Sequence, residues 1–288
     1  MKGSRHFRVS ALLSACVMSL IATAGWSQSL TWLGTLSGSE YDISYASGVS
    51  ADGSVVVGWS YNAAGSRAFR WQNGVMQALG TLGGSESLAY GVSANGAVVV
   101  GVADNAAGSR AFRWTASGGM QALGTLGGNW SWARGVSADG SVVVGGASNA
   151  AGQRRAFRWQ NGGMQALGTL GGNESVAYGV SADGSVVVGW AENAAGQWRA
   201  VRWTASGIED LNITYASLLT NGSRLEVAYA ISPDGRYIVG QGRNAATRRI
   251  EAFLLDPRCT LRGDVNGDGK VDDADLLIVL FNFGNQCP

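Results

Sequence analysis

The chain has 288 residues and a formal net charge of +1, with only 14% charged residues, 44 glycines, 3 prolines and 11 tryptophans. So small a charge argues against an electrostatic mode of nucleic-acid binding, which needs a concentrated basic face. The length allows one or two domains, and glycine without a collagen period points to turns and close packing.

The N-terminus reads as an export signal over residues 1–24. Lys2, Arg5, His6 and Arg8 form a basic start, an apolar stretch runs from Val9 to Ala24, and Ala22-Thr23-Ala24 supplies small residues for cleavage. The apolar run is too short for a transmembrane helix. An alternative uses Leu13-Ser14-Ala15-Cys16 as a lipoprotein box, with a lipid anchor on Cys16. Either reading sends the mature chain out of the cytoplasm. Cys259 and Cys287 then remain, bracketing the C-terminal segment, and an oxidising compartment lets them form a disulfide. Two cysteines without a histidine are too few for a zinc site.

Residues 30–257 are repetitive. GVSADGSVVVG at residue 48 returns as GVSANGAVVVG from residue 91, unchanged from residues 135 and 179, and as AISPDGRYIVG from residue 230, with spacings of 43, 44, 44 and 51. Self-similarity at such a period signals a repeat architecture. A short strand, an Asp-Gly or Asn-Gly turn and a β-branched strand make each copy a hairpin. A third strand follows (RAFRW from Arg67, Arg110 and Arg155, RAVRW from Arg199), then a fourth of the type QALGTL. Four short strands in about 44 residues make a propeller blade.

The expected fold is therefore all-β, a five-bladed β-propeller; a β-solenoid is the alternative. After the signal, the mature chain is expected to start with LTWLGTL, residues 30–36, a lone fourth-strand sequence, and the fifth unit ends after IEAFLLD without one. Pairing of the two would close the ring and leave no open edge. Gly48, Gly91, Gly135, Gly179 and Ala230 suit first strands crowded at an axis. Trp71, Trp114, Trp159 and Trp203 are expected to pack between blades. Arg70, Arg113, Arg158 and Arg202 either cover aromatics, bond a neighbouring blade's backbone, or ring an anion.

The RAFRW, ALGTLGG and GVSADGSVVVG elements resemble the HAF repeat of extracellular bacterial proteins. Arg67, Arg110, Arg155 and Arg199 stand where that family has histidine. The resemblance implies secretion and a β-rich scaffold, and no known activity.

The C-terminal segment, residues 258–288, contains DVNGDGKVDDAD from residue 264. Its spacing matches an EF-hand loop for Ca²⁺. Asp264, Asn266 and Asp268 offer side-chain oxygens, Lys270 its backbone carbonyl, and Asp272 a direct or water-mediated ligand. Asp275 replaces the usual Glu at position twelve. A helix is expected from about Ala274. This loop and helix resemble one repeat of a type I dockerin, where a full module carries two. The resemblance implies docking to a cohesin-like or cell-surface protein. A Cys259–Cys287 bridge closes a loop of about 29 residues, worth roughly 3–4 kcal/mol in the chain-entropy model.

Two functions fit. The first is a secreted, non-enzymatic scaffold for binding or display with a calcium-stabilised tail. The second is a secreted glycoside hydrolase or carbohydrate-binding module. The one histidine, His6, lies in the signal, which argues against Ser-His and Cys-His catalysis. Asp52, Asp139, Asp183 and Asp234 are turn residues, Glu40, Glu86 and Glu174 recur just before the first strand and read as structural or ligand-lining, and the irregular carboxylates that remain, Asp104 and Glu192 among them, show no evident pairing. Trp130 and Trp132 depart from the repeat and are candidate stacking residues for a carbohydrate or peptide.

Overall fold

A computed structural model describes residues 28–62, 65–257, 272, 273, 276 and 277. The chain divides into two compact units, Met1–Trp32 and Leu33–Pro288. In the first, the described residues 28–32 carry no regular structure.

In the second, each repeat becomes one antiparallel sheet whose strands are bonded in chain order. Sheet one is β1 (Ile43–Val49), β2 (Val55–Asn62), β3 (Gly65–Gln72) and β4 (Val75–Ala78). Sheet two is β5 (Ser87–Val92), β6 (Val98–Asn105), β7 (Gly108–Thr115) and β8 (Gly119–Ala122). Sheet three is β9 (Gly127–Val136), β10 (Val143–Asn149), β11 (Arg154–Gln160) and β12 (Gly163–Ala166). Sheet four is β13 (Gly171–Val180), β14 (Val187–Asn193), β15 (Trp198–Thr204) and β16 (Gly207–Asp210). A short helix, α1 (Leu211–Thr214), and a 3-10 turn at Ala216–Leu218 lead to sheet five, β17 (Arg224–Ile231), β18 (Ile238–Asn244) and β19 (Arg249–Leu255).

The hairpin turn works through side chains as well as glycine. Only the glycines, such as Gly53 at φ +74°, take positive φ; the preceding aspartates do not. Asp52 Oδ1 accepts the Ser50 hydroxyl at 2.7 Å and the Ser54 amide at 3.0 Å, while Ser50 Oγ accepts the Val55 amide at 3.0 Å. Asn95 in sheet two accepts the equivalent Ser93 hydroxyl and Ala97 amide. These bonds favour the ionised aspartate, so Asp52, Asp139 and Asp183 are lowered to about 2, with the Ser50, Ser137 and Ser181 hydroxyls the largest cause.

Each first strand carries a β-bulge. The extra residue is Ser47, Tyr90, Arg134, Tyr178 or Tyr229. Facing it on the second strand is always a glycine. A Cβ on Gly58, Gly101, Gly145, Gly189 or Gly240 would stand 1.9–2.0 Å from a carbonyl oxygen of the first strand. The bulge therefore demands the glycine after Val-Val-Val, and it re-aims one side chain per blade.

The cores lie between sheets, as expected for strands buried on both faces. Val55, Val57 and Leu79 of sheet one pack with Val99, Phe112 and Trp114 of sheet two. Trp159 and Trp203 join the next two equivalent clusters. Trp114, Trp159 and Trp203 thus pack between blades, while Trp71, half-buried on sheet one, is not part of these clusters. The glycines expected at a crowded axis do meet there: a Cβ on Gly179 would lie 3.1 Å from Ala230 Cα. Three of the four ladder arginines, Arg70, Arg113 and Arg158, bond a neighbouring turn's backbone, whereas Arg202 pairs with Glu209 of its own sheet. Arg70 and Arg113 donate to Gly96 O at 3.1 Å and Gly140 O at 3.3 Å.

The expected closure of the ring is not formed. No residue of 30–36 lies in a strand, and sheet five has three strands, ending at β19. A ladder of bonds between the turns also ends at sheet five. Ala51, Ala94, Ala138 and Ala182 each donate an amide to the next turn, at Ala94, Ala138, Ala182 and Pro233. Pro233 has no N–H, so this ladder cannot pass from the fifth turn onward. The two end faces stay open. Val49 is 60% exposed and Leu254 68%. At the position of Val56, half-buried on sheet one, Val99 and Val143 are fully buried.

Of the tail, Asp273, Leu276 and Leu277 are helical, and the Leu276 amide donates to Asp272 O at 3.4 Å. Residues 1–24, Asp264, Asn266, Asp268, Lys270, Asp275, Cys259 and Cys287 lie outside the described residues. Among those described, no helix is long and apolar enough to cross a membrane.

Candidate ligand cleft on the inner strands

The repeat is most regular in its turns and least regular along the first two strands. The cross-strand pair three residues before the repeat glycine shows this. It is Tyr45–Trp59 in sheet one, Leu88–Val102 in sheet two, Trp132–Gly146 in sheet three, Val176–Trp190 in sheet four and Val227–Gln241 in sheet five. In sheet one Trp59 stacks on Tyr45, with centroids 4.3 Å apart. In sheet four Trp190 stacks on Trp198 at 4.5 Å and is buried with Val176 and Val227. In sheet three the ring of Trp130 lies over Gly146, 3.8 Å from where a Cβ would stand. Each of these sheets fills the same space with an indole.

Sheet two does not. Val102 stands at the position of Trp190, and Ser109, opposite Asp104, at that of Trp198, opposite Glu192. The missing rings leave a cleft of about 360 Å³ lined by Glu86, Leu88, Tyr90, Asp104, Trp132 and Arg134, among others.

The two ends of the cleft differ in charge. Tyr90 and Arg134 are the bulge residues of sheets two and three. The Arg134 guanidinium sits 4.6 Å from the Tyr90 ring centre and 5.9 Å from that of Trp132. Burial pushes the Tyr90 phenol above its usual range, against the pull of Arg134. At the other end, the Asp104 amide bonds Glu86 O at 2.9 Å, which sets the two carboxylates opposite each other across β5 and β6. Like charges so placed repel. Asp104 is partly relieved by the Ser109 hydroxyl at 2.8 Å. In sheet four Glu192 instead accepts the Asn173 amide at 3.1 Å.

Of the two candidate tryptophans, the structure puts Trp132 on the cleft and uses Trp130 to cover a glycine and to stack on Trp132 at 4.7 Å. Sequence reasoning missed Tyr90, Arg134 and the Glu86–Asp104 pair. The bulge and the strand register bring them together, and neither is written as a motif. A partial signal did exist: Val102 and Ser109 stand where sheet four has Trp190 and Trp198, although sheets three and five also lack an aromatic at both positions, with Gly146 and Arg154 and with Gln241 and Ile250.

No family model matches the chain, and no curated protein does. Solved structures do resemble it. A TolB from Agrobacterium tumefaciens aligns over 75% of this chain and 77% of its own, at 16% identity and a TM-score of 0.50. The β-propeller domain of the Trilobed protease from Pyrococcus furiosus aligns over 74% of this chain and 67% of its own, at 9% identity and a TM-score of 0.50. TolB from Acinetobacter baumannii aligns at 14% identity and a TM-score of 0.49; the chain spans 52% of its length. At such identities the first two likenesses show the fold alone. The fold is an all-β array of the β-propeller kind, built from four antiparallel sheets of four strands and one of three.

Proposed function

We propose that this protein is a secreted, non-enzymatic scaffold that binds an extracellular ligand in the cleft of sheet two. One observation carries the reading: sheets one, three and four fill a common space with an indole, and sheet two leaves it open beside Trp132, Tyr90 and Arg134. Four-stranded sheets with repeated cores make a rigid frame, and one departure from the repeat makes a site. The test is a combined glycan and peptide array with the intact protein, Trp132→Ala and Trp130→Ala. Trp132→Ala should lose binding and Trp130→Ala should weaken it less. Unchanged binding by Trp132→Ala removes the cleft from the function.

The export signal supports an extracellular or envelope location. The HAF-like repeats support the same compartment, with arginine in place of the family histidine. The Pyrococcus propeller domain is described as having an open velcro topology, and this chain is read likewise, as an array its N-terminal strand does not seal. The tail is read as a calcium-stabilised anchor. Asp264, Asn266, Asp268, the Lys270 carbonyl, Asp272 and Asp275 would hold Ca²⁺, and the Cys259–Cys287 bridge would staple the segment for docking to a cohesin-like or cell-surface partner. Calorimetry with the full chain should show calcium binding that Asp264→Ala abolishes; no heat at millimolar calcium removes this anchor.

A second reading, a glycoside hydrolase, is favoured by one observation. Glu86 and Asp104 stand opposite each other and line one cleft, and glycoside hydrolysis uses two facing carboxyls. Turnover of a chromogenic glycoside panel that Glu86→Gln abolishes would establish it; no turnover by the intact protein removes it.

A further inference from the structure

The three neighbouring sheets show what the cleft of sheet two lacks, which is a flat aromatic group between the first and second strands. Its polar ends show what such a group would carry. At the inner end, the Arg134 guanidinium is half-buried and stacked on Tyr90, and it takes part in no hydrogen bond or ion pair among the described residues. A guanidinium offers five donors in a fork that matches a carboxylate. At the outer end, the opposed Glu86 and Asp104 favour a cation between them. Along β5 the two ends are separated by four residues, Glu86 to Tyr90, about 13 Å at the rise of an extended strand. That span is too long for the protein's own charges to meet, and it suits three extended peptide residues with one long basic side chain.

We propose that the cleft binds a short extended peptide that places a basic group between Glu86 and Asp104, an aromatic side chain in the slot beside Leu88, Val102 and Trp132, and a carboxylate on Arg134. The proposal rests on the reading of this cleft as the ligand site. The aromatic side chain supplies from outside the ring that Trp59, Trp130 and Trp190 supply in the sister sheets. A neutral oligosaccharide could stack on Trp132, but it leaves the guanidinium and the carboxylate pair uncompensated by charge. The opposite charges at the two ends therefore favour the peptide.

The experiment is calorimetry on the full chain, with intrinsic tryptophan fluorescence in parallel, compared between the parent and Trp132→Phe. The probes are lysyl-phenylalanyl-glycine with a free C-terminus, its C-terminal amide, lysyl-alanyl-glycine, and maltotetraose. The free tripeptide should bind, and the amide and the alanine peptide should each bind about tenfold or more weakly, the usual size for one charge-assisted bond or one buried ring. Arg134→Gln should abolish the difference between acid and amide. Val102→Trp restores the residue of sheets one and four. It should fold with an unchanged circular dichroism spectrum and a raised Tm, and lose the tripeptide. Equal binding of acid and amide, or full affinity in Val102→Trp, overturns the peptide proposal. If maltotetraose binds in a Trp132-dependent way and the tripeptide does not, the peptide proposal fails and the cleft stands. If none of the probes moves the heat or the fluorescence, the peptide proposal fails, and the arrays decide the cleft.

Discussion

At the scale of single residues, most of what repeats is held by sterics or by short polar turns. Gly101 and Gly53 are both glycines for opposite reasons. A Cβ on Gly101 would stand 2.0 Å from Leu88 O and 2.9 Å from Ala89 Cα, in the interior of a sheet, whereas around Gly53 there is open space and a φ of +74°. Gly101→Ala should therefore cost about 3 kcal/mol or more, among the larger single-residue effects. Gly53→Ala should cost only about 1–2 kcal/mol, the penalty of left-handed backbone. Urea unfolding of both variants checks the order, and equal losses would contradict it. The turn aspartates predict an acid response. Their folded pKa of about 2 lies below the unfolded value of about 3.9. Their stabilisation is thus complete above about pH 4 and is lost as pH falls toward 2. Asn95 already replaces one of them with the same bonds kept. Asp139→Asn should accordingly fold, and its urea midpoint should fall less steeply between pH 4 and pH 2 than that of the parent. All of these positions were legible in the sequence as turn and packing residues. The glycine after Val-Val-Val was visible as a repeat, but its reason, the bulge opposite, was not.

At the scale of elements, sheets are joined by a serine whose role no motif announces. Ser131 lies fully buried on β9. Its hydroxyl accepts the Ala111 amide of sheet two at 2.9 Å and donates to Gly124 O at 2.6 Å. Ser87 and Ser175 accept from Ala68 and Ala156 in the same way. Ser131→Ala strands a buried amide and a carbonyl together, and should cost about 1–3 kcal/mol, read as a shift in the thermal midpoint. No shift would mean that water replaces the hydroxyl. Periodicity could not find this pin, because a small polar residue in an alternating strand looks solvent-facing until the next sheet covers it. The candidate site follows the same logic. Trp132 stood out in the sequence as a departure from the repeat. Glu86 and Asp104, 18 positions apart in the chain, became a pair only through the register of β5 on β6. Arg134 became a site residue only because a bulge turns it toward Tyr90.

At the scale of the molecule, the array has two unmatched ends. Among the described residues β19 offers a free strand edge, and Leu254 is exposed at the position where Arg70 bonds the next turn. An exposed apolar edge strand is a template for self-association. Leu254→Arg, which restores the repeat, should lower the light scattering of a concentrated solution without changing the thermal midpoint; unchanged scattering would show that this edge is not what associates. The sequence alone determined the all-β class, the five units and their four-strand pattern, and the scaffold role of the turn aspartates and third-strand tryptophans. Turn chemistry and hydrophobic period act over a few residues, and repetition multiplies the signal. Tertiary structure decided the rest. Closure depended on whether residues 30–36 form a strand on sheet five, and they form none. The cleft depended on which of several equivalent spaces lacked a ring, a comparison that has meaning only once strand register shows which side chains share a space.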